Sequence, residues 1–250
     1  RFQQFCDIHR RRLALDVRIG RDNDLLYVGR ADARDKFADP DVIRPSIVHL
    51  VMHALKQGWT LEDIQVLSPM YGGNAGIDVL NNALQEAFNP SKAGKKEIRI
   101  GYTTFRIGDK ILQLKNQPDD DVYNGDIGIL EEIYTASETE THQSLIVVRY
   151  EDFFVEYGPE TFGNITLAYC ISIHKSQGNE YPFVILPVSH RFGIMLQKKL
   201  LYTGVTRAKK RLLLLGEESA FQTGLHRKEI CPRLTTLQQR MEDIDIHTDL

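Results

Sequence analysis

Cysteine is scarce in this sequence. Its three cysteines, Cys6, Cys170 and Cys231, are odd in number and lie far apart among 250 residues. A disulfide framework needs paired cysteines and a zinc ribbon needs them at short, fixed spacings, so the sequence contains neither pattern. We therefore expect a reducing, cytoplasmic compartment and no metal site.

Long apolar runs are also lacking. No stretch approaches the roughly 20 apolar residues that cross a bilayer, and the start RFQQFCDIHRRR lacks the charged-then-apolar order of a signal peptide. The sequence also has no G-x-x-x-x-G-K-[ST] motif for gripping phosphates and no convincing acidic Walker-B strand. We expect no membrane partner, and no ATP hydrolysis by this chain alone.

Charge is weak overall but unevenly placed. The formal net charge is −3 and the pI is near 6.3. Residues 91–115 contain seven Lys or Arg against two acids, residues 190–211 contain seven against none, and residues 116–160 contain twelve Asp or Glu against one Arg. This polarisation can offer one basic face to a polyanion, although charged faces that meet only solvent explain it equally well.

Strands alternate with helices on either side of a central region. Buried strands are predicted at residues 24–28, 63–67, 183–188 and 212–216. Helices are predicted at residues 43–57, with Asp39 or Asp41 as cap, and at residues 77–88, 217–224 and 232–241. This alternation predicts an α/β fold, with a parallel sheet flanked by helices on both faces and ligands beyond the carboxyl ends of its strands.

The central region, residues 106–163, has short apolar runs separated by turn signals. Residues 110–114 and 145–148 are typical of strands, and Asn124-Gly125-Asp126 is a turn in which glycine supplies a positive φ. Four or five such strands predict a small β-barrel. Residues 131–143 are expected to form a mobile, solvated hairpin.

Two polar clusters lie at the ends of the predicted strand at residues 183–188. The first, SIHKSQGNE at residues 172–180, resembles helicase motif V. The second lies in LLYTGVTRAKKRLLLLG at residues 200–216, which resembles motif VI of superfamily 1 helicases. Together with VLSPMYGGNAGIDVLNNALQ at residues 66–85 and NGDIG at residues 124–128, they resemble the C-terminal half of RecD/TraA-type DNA helicases.

The resemblance implies the second of two RecA-like motor domains, with an inserted SH3-like β-barrel. Residues 1–105 and 164–250 would form the motor domain and residues 106–163 the barrel, which is expected to help grip single-stranded DNA. A barrel that serves only packing or protein docking is the alternative. Because the chain starts at Arg1 and not at Met, we expect a longer protein with an N-terminal P-loop half, and nuclease subunits are further candidate partners.

Arg207 is the candidate catalytic residue. Phosphoryl transfer needs positive charge where negative charge grows on the γ-phosphate, and a guanidinium can hold two phosphate oxygens at once. Arg207 would be this arginine finger, at the end of a helix that starts near residue 196. The resemblance implies that Gly178 and Glu180 complete the ATP contacts, with Glu180 on the ribose, while Mg²⁺ is bound mainly by the missing half. The alternative is a surface arginine paired with an acid, and Lys209 and Lys210 are expected to be helix-terminal charges.

A track for single-stranded DNA or duplex junctions is also implied. Its candidates supply hydroxyl, imidazole, ammonium and amide groups: Thr166, Ser172, His174, Lys175, Gln177 and Asn124. Four aromatic residues could stack on bases, although each is more often a core residue: Tyr102, Phe105, Tyr123 and Tyr202. Cys170 with His174 as a metal pair, and Ser172 with His174 as nucleophile and base, both lack the further partners that such sites need.

The sequence therefore predicts the C-terminal motor half of an ATP-dependent DNA helicase, whose 5′ to 3′ direction rests on the resemblance alone. One departure is that no arginine lies between Arg44 and Arg99, where other superfamily 1 helicases place one near the γ-phosphate. The alternative is a non-catalytic module that binds single-stranded nucleic acid. The run Arg10, Arg11 and Arg12 could touch phosphates, but a solvated tail is its more frequent role.

Overall fold

The computed structural model describes residues 16–18, 24–28, 40–73 and 75–227, with side chains from residue 43 onward. The predicted helix at residues 232–241, the run Arg10 to Arg12, and the residues Cys6 and Cys231 lie outside this part. None of the described helices is long and apolar enough to cross a membrane.

The chain forms a three-layer α/β unit and a second, antiparallel sheet. Its helices are α1 (Pro40–Lys56), α2 (Ile77–Phe88), α3 (Lys198–Val205) and α4 (Glu218–His226). Its strands are β1 (Asp16–Arg18), β2 (Asp24–Val28), β3 (Ile64–Ser68), β4 (Glu97–Ile100), β5 (Thr103–Arg106), β6 (Lys110–Gln113), β7 (Ile127–Tyr134), β8 (Leu145–Tyr150), β9 (Phe153–Tyr157), β10 (Ile165–Leu167), β11 (Cys170–Ser172), β12 (Tyr181–Val188) and β13 (Ala208–Gly216).

The α/β unit is built on a six-stranded sheet with the order β1-β2-β13-β12-β3-β11. All neighbours pair in parallel except β1 and β2. Helix α1 packs on α2, and α3 packs on α4. Because the β3-to-β11 and β12-to-β13 connections run in opposite directions, right-handed crossovers place these two helix pairs on opposite faces. The predicted α/β fold with a flanked parallel sheet is confirmed.

The apolar pattern explains the central elements. Every residue of β3 is buried, as are Leu212 to Leu215 of β13, as expected for strands covered on both faces. Helix α2 buries Ile77, Leu80 and Leu84 on one side, at helical spacing.

Several boundaries differ from the sequence predictions. Helix α1 begins at Pro40, whose fixed φ suits a first helical position, so Asp41 lies inside the first turn and does not cap it. Strand β13 begins at Ala208, so Lys209 and Lys210 lie on a strand and are not helix-terminal charges. Helix α3 starts at Lys198, after a short 3₁₀ helix at His190–Met195, and α4 covers Glu218–His226.

The antiparallel sheet has the order β10-β6-β7-β8-β9 and begins at Lys110. The predicted barrel limits, residues 106 and 163, stay a prediction, and the sheet itself also takes in β10, beyond residue 163. The hairpin predicted at residues 131–143 is confirmed, because β7 pairs with β8 in an antiparallel arrangement, but its first residues are not all solvated, because β7 continues through Tyr134 and buries Ile133. The β4–β5 hairpin forms a separate two-stranded sheet.

A buried polar cluster lies at the carboxyl end of β6, around Gln113. The Gln113 side-chain oxygen accepts hydrogen bonds from the hydroxyls of Tyr157 at 2.7 Å and Tyr150 at 3.4 Å. The Gln113 amide then donates to the carbonyl of Lys115 and to the Gln117 side chain, both at 2.8 Å. Burial raises the pKa of Tyr157 to about 12, so its hydroxyl stays protonated as a donor. This cluster fixes the start of the connection between β6 and β7.

Asp109 joins the antiparallel sheet to the α/β unit. It is 0 % exposed, and each carboxylate oxygen accepts two hydrogen bonds. One accepts from the side chains of Asn89 at 2.6 Å and Tyr169 at 2.9 Å, and the other from the side chain of Gln85 at 2.6 Å and the backbone of Arg106 at 2.7 Å. Burial raises the pKa of this carboxyl, and the four donors partly offset that rise. Helix α2 with its C-cap, strand β5 and the connection between β10 and β11 therefore meet at one carboxylate.

Lys110 forms the other half of the junction. It is 3 % exposed, and its Nζ donates to the carbonyls of Ile64 at 2.9 Å, Leu61 at 3.2 Å and Glu62 at 3.4 Å. Burial lowers the pKa of Lys110 from 10.5 to about 8. The first residue of β6 is thus anchored on the chain that leads into β3.

We expect Asp109→Ala to lower the free energy of unfolding by about 3 kcal/mol, because it leaves buried donors on Gln85, Asn89 and Tyr169 without acceptors. Urea unfolding of the chain measures the change. Asp119→Ala, which removes an exposed carboxylate, should change stability by less than about 0.5 kcal/mol. Equal effects of the two substitutions would contradict the role given to Asp109.

Lys110 should make stability rise with pH above about 8. Below that pH Lys110 is charged in both the folded and the unfolded chain, so the folded state bears the full free-energy cost of burying the ammonium. Between about 8 and 10.5 the unfolded chain keeps the proton while the folded chain has released it, so the folded state gains roughly 3 kcal/mol. The stability of the wild type relative to Lys110→Met should therefore grow between pH 7 and pH 10.5. A Lys92→Met control, at an exposed site, should show no such growth, and a pH-independent difference for Lys110 would contradict the argument.

Candidate functional site

The candidate residues gather around residues 173–180, the crossover segment, which joins the carboxyl end of β11 to the amino end of β12. These two strands lie on either side of β3. The Ser172 hydroxyl accepts from the backbone N–H of Lys175 at 3.1 Å, and the buried Ser176 hydroxyl donates to the Ile173 carbonyl at 2.7 Å. Gly178 has φ +94°, a conformation that L side chains rarely adopt, and it ends this turn.

The barrel loop, residues 114–126 between β6 and β7, contacts the crossover segment at two points. The Lys175 ammonium donates to the Asn124 side chain at 2.5 Å and to the Leu114 carbonyl at 3.4 Å. The Asn179 amide donates to the Gly125 carbonyl at 2.8 Å. Gly125 is buried with φ +108°, so glycine is required there by backbone conformation. The two units of the fold thus meet directly at the candidate site.

Arg207 follows α3 and turns its side chain back on the protein. Its Nε donates to the Thr203 carbonyl at 3.1 Å, one terminal nitrogen donates to the Asn179 carbonyl at 2.8 Å, and the other to the Thr206 hydroxyl at 3.1 Å. All three acceptors are neutral. Within the part of the chain that the structure describes, no carboxylate forms an ion pair with Arg207. The surface-arginine alternative, in which Arg207 pairs with an acid, therefore has no partner among the described residues.

The residues proposed for nucleotide binding lie at the amino ends of the strands. Glu180 directly precedes β12, and Arg207 directly precedes β13, where Tyr181 pairs with Ala208. The backbone N–H of Tyr181 donates to the Arg207 carbonyl at 2.8 Å. This differs from the expectation of ligands beyond the carboxyl ends, because the crossover segment carries the chain back across the sheet before β12 begins. The ion pair of Glu180 with Lys209 spans 3.8 Å between side chains that are more than half exposed, so it contributes little stability.

The DNA-binding candidates are only partly brought together. His174, Gln177 and Asn124 are exposed and surround Lys175, whereas Ser172 is only 6 % exposed and its hydroxyl already supports the turn. Thr166 lies half-buried on β10, and no side-chain hydrogen bond of the described residues joins it to the other five. Their contacts with DNA stay a prediction.

The aromatic candidates differ in the exposure of their side chains, and the candidate Cys170 is buried. Phe105 is buried in the core, while Tyr102 is fully exposed at the tip of the β4–β5 hairpin and Tyr123 and Tyr202 are about half exposed. Cys170 lies on strand β11 and not on a helix, so it does not share a helix face with His174. Burial raises the pKa of its thiol. Across the described ranges, no group of three or more His, Cys, Asp or Glu side chains could hold a metal ion.

Sequence reasoning missed Asn179. It lies inside the motif V-like cluster, but its partners are the backbone carbonyl of Gly125 and the side chain of Arg207. A backbone acceptor leaves no trace in the residue pattern, so no sequence signal could have singled out this contact.

Two family models match the chain. Residues 80–150 match the SH3 domain of ATP-dependent RecD-like DNA helicases, and residues 167–215 match the UvrD-like helicase C-terminal domain. The chain is also 33% identical over 179 residues to the ATP-dependent RecD2 DNA helicase of Deinococcus radiodurans, which covers 71% of this chain and 23% of that protein. The chain belongs to the RecD-like helicases.

The chain is also similar to a second curated protein and to a solved structure. The RecBCD enzyme subunit RecD of Buchnera aphidicola subsp. Schizaphis graminum is 28% identical over 163 residues, 65% of this chain and 26% of that protein. A crystal structure of Pif1 helicase from Bacteroides, in complex with ADP-AlF3 and ssDNA, has a TM-score of 0.44 and 14% identity over 86% of this chain and 56% of that one. The RecD-like chain spans about a quarter of the length of the curated relatives it matches.

The matched regions contain the site described above. The UvrD-like match includes the crossover segment, α3 and Arg207, and the SH3 match includes the barrel loop. The predicted RecD-like family and the SH3-like insertion are confirmed by these matches.

Proposed function

We propose that this RecD-like chain is the C-terminal motor part of an ATP-dependent DNA helicase and that Arg207 is its arginine finger. The observation that carries the proposal is the set of acceptors around Arg207: two carbonyls and a hydroxyl, with no carboxylate among the described residues. A phosphate that displaced these neutral acceptors would break no ion pair among the described residues and would form one, because a phosphate oxygen carries a negative charge. The reaction class of the proposal, ATP-dependent helicase activity, is taken from the family of the chain.

The site residues fit a nucleotide that is held mainly by another domain. Glu180 is exposed beside Arg207 and has acceptor oxygens for ribose hydroxyls, and nothing lies within 4 Å of where a Cβ on Gly178 would be, so a ligand can approach its backbone. Bound ATP would supply the γ-phosphoryl group, with Mg²⁺ and the phosphate cradle provided by an N-terminal P-loop half. Arg207 would place its charge where negative charge develops during transfer to water.

The DNA track would run across the junction of the barrel loop and the crossover segment. Lys175, like Arg207, is held by neutral acceptors, and no carboxylate in the described ranges forms an ion pair with it. The exposed side chains of His174, Gln177 and Asn124 add donors around it. Movement in the 5′ to 3′ direction and a cytoplasmic location are part of this proposal. So is assembly with nuclease subunits, because several relatives are named RecBCD enzyme subunit RecD.

A second candidate function is a non-catalytic module that binds single-stranded nucleic acid. It is favoured by one observation, the lack of a P-loop motif in the 250 residues. A barrel that only docks proteins would bind no DNA at all.

In the complete polypeptide that carries this chain, Arg207→Ala should lower kcat for DNA-stimulated ATP hydrolysis by about 10³ to 10⁵, with little change in KM for ATP. Arg207→Lys should stay slow, because an ammonium lacks the planar fork of the guanidinium. Arg191→Ala, at an exposed arginine of the same basic region, is the matched control and should hydrolyse ATP within about twofold of the wild type.

If Arg207→Ala hydrolysed ATP at the wild-type rate, Arg207 would have no role in the reaction. A complete polypeptide that never hydrolyses ATP would favour the second candidate function. The 250-residue chain alone is expected to be inactive, and turnover that disappears with Arg207→Ala in this chain would also contradict the proposal.

The 250-residue chain should bind a single-stranded oligonucleotide with an affinity that falls as salt rises, because phosphate contacts release counterions. Lys175→Ala should weaken binding to all sequences alike and reduce the slope of log K against log salt by about 0.7. Lys56→Ala, which removes an exposed charge at the end of α1, serves as control in the same fluorescence anisotropy titration. An unchanged slope for Lys175→Ala would place the track elsewhere, and no binding by the wild type would favour the protein-docking alternative.

A further inference from the structure

Asn179 touches both the barrel loop and Arg207. Its side-chain amide donates to the Gly125 carbonyl at 2.8 Å, and its own carbonyl accepts from Arg207 at 2.8 Å. Asn179 therefore links the barrel loop to Arg207, the candidate arginine finger, which directly precedes β13 of the α/β unit.

The backbone around Asn179 leaves it little freedom to move on its own. Gly178, which precedes it, has a positive φ, and the backbone N–H of Asn179 donates to the Ser176 carbonyl at 3.2 Å. After it, Tyr181 is buried at the start of β12 and donates to the backbone carbonyl of Arg207. A shift of the crossover segment must therefore alter the contacts of Asn179 with Gly125 and with Arg207 together.

The second contact of the barrel loop is the one that a nucleic acid would compete for. The Lys175 ammonium donates to the Asn124 side chain and the Leu114 carbonyl, which are both neutral. A phosphate oxygen carries a negative charge, so it forms a stronger hydrogen bond with an ammonium than a neutral amide oxygen does. Phosphate binding at Lys175 would therefore draw Lys175 away from Asn124, next to the point where Asn179 holds Gly125.

We propose that Asn179 is a positioning residue whose carbonyl keeps the Arg207 side chain turned toward the crossover segment until nucleic acid loosens the barrel loop. Phosphate at Lys175 frees the loop, the crossover segment then shifts, and the carbonyl of Asn179 releases Arg207 toward the nucleotide. The inference rests on the proposed function. Nucleic acid favours the released state because Lys175 gains a phosphate contact there, and such coupling between sites commonly changes an equilibrium by about 5-fold to 150-fold.

Asn179→Ala tests the proposal because it removes the amide donor and keeps the carbonyl. In the complete polypeptide, the rate of ATP hydrolysis without DNA should rise by about 5-fold or more, and the stimulation by oligo(dT) should fall by the same factor. A residue with only a structural role would lower both rates when truncated. Gln143→Ala, which removes an exposed amide from the β7–β8 connection of the same sheet, should leave both rates unchanged.

A DNA-free rate in Asn179→Ala that is unchanged or lower would overturn the proposal. Failure of the proposed function has a different signature, because the wild type itself would then hydrolyse no ATP, and the inference would fail with it.

A second measurement requires no ATP and uses the 250-residue chain. The side-chain Nε–H signal of Arg207, identified by its loss in Arg207→Lys, is followed by NMR while oligo(dT) is added. The signal should move in the wild type and should not move in Asn179→Ala, although anisotropy shows that both bind the oligonucleotide. Equal movement in both proteins, or none in a wild type that binds DNA, would overturn the role of Asn179.

Discussion

The position of the barrel loop depends on the buried junction at Asp109 and Lys110. A charge in the interior is tolerated only when its hydrogen-bonding capacity is filled. Asp109 fills it with four donors from three segments, and Lys110 with carbonyls of the chain leading into β3. Shifting the antiparallel sheet by one residue relative to the α/β unit would break the hydrogen bonds of Asp109 and those of Lys110 together. The junction therefore fixes the antiparallel sheet against the α/β unit in a single register.

From that junction, a short path leads to the candidate site. Strand β6 runs only from Lys110 to Gln113, and the buried Gln113 amide then holds the first residues of the barrel loop. The buried Gln113 side chain holds the start of the loop, and the backbone N–H of Gln113 also donates to the Asp126 carbonyl at its end, at 2.9 Å. From there the loop reaches Lys175 and Asn179. The SH3-like insertion thus supports the crossover segment of the α/β unit, and the two sequence regions matched by separate family models meet at the candidate site.

Much of the framework could be predicted from the sequence because it rests on apolar periodicity. Helix α2 was predicted within its observed limits, since its apolar face is strong and Asn89-Pro90 follows it. The start of β13 was missed because Lys209 and Lys210 are polar, although their backbone pairs in the sheet. The junction was missed for another reason. Asp109 meets Gln85 and Asn89 across 24 and 20 residues, and polar contacts at such separations have no period.

The partners of the cations separate structural charges from candidate ligand-binding ones. Arg106 forms ion pairs with Glu86 at 2.6 Å and Glu97 at 3.2 Å, and Arg149 pairs with Glu131 at 2.7 Å. An anion that approached either arginine would have to displace a carboxylate.

Among the described residues, Arg207 and Lys175 instead donate to neutral acceptors, and Asn179 lies between their two neighbourhoods. Each cation can exchange a hydrogen bond to a neutral acceptor for a stronger one to a negatively charged phosphate oxygen. In the coupling proposed above, both exchanges act on the same short crossover segment, so an anion bound at one cation changes the free energy of binding at the other. The arrangement of neutral acceptors, more than the number of basic residues, makes this segment suited to respond to two polyanions.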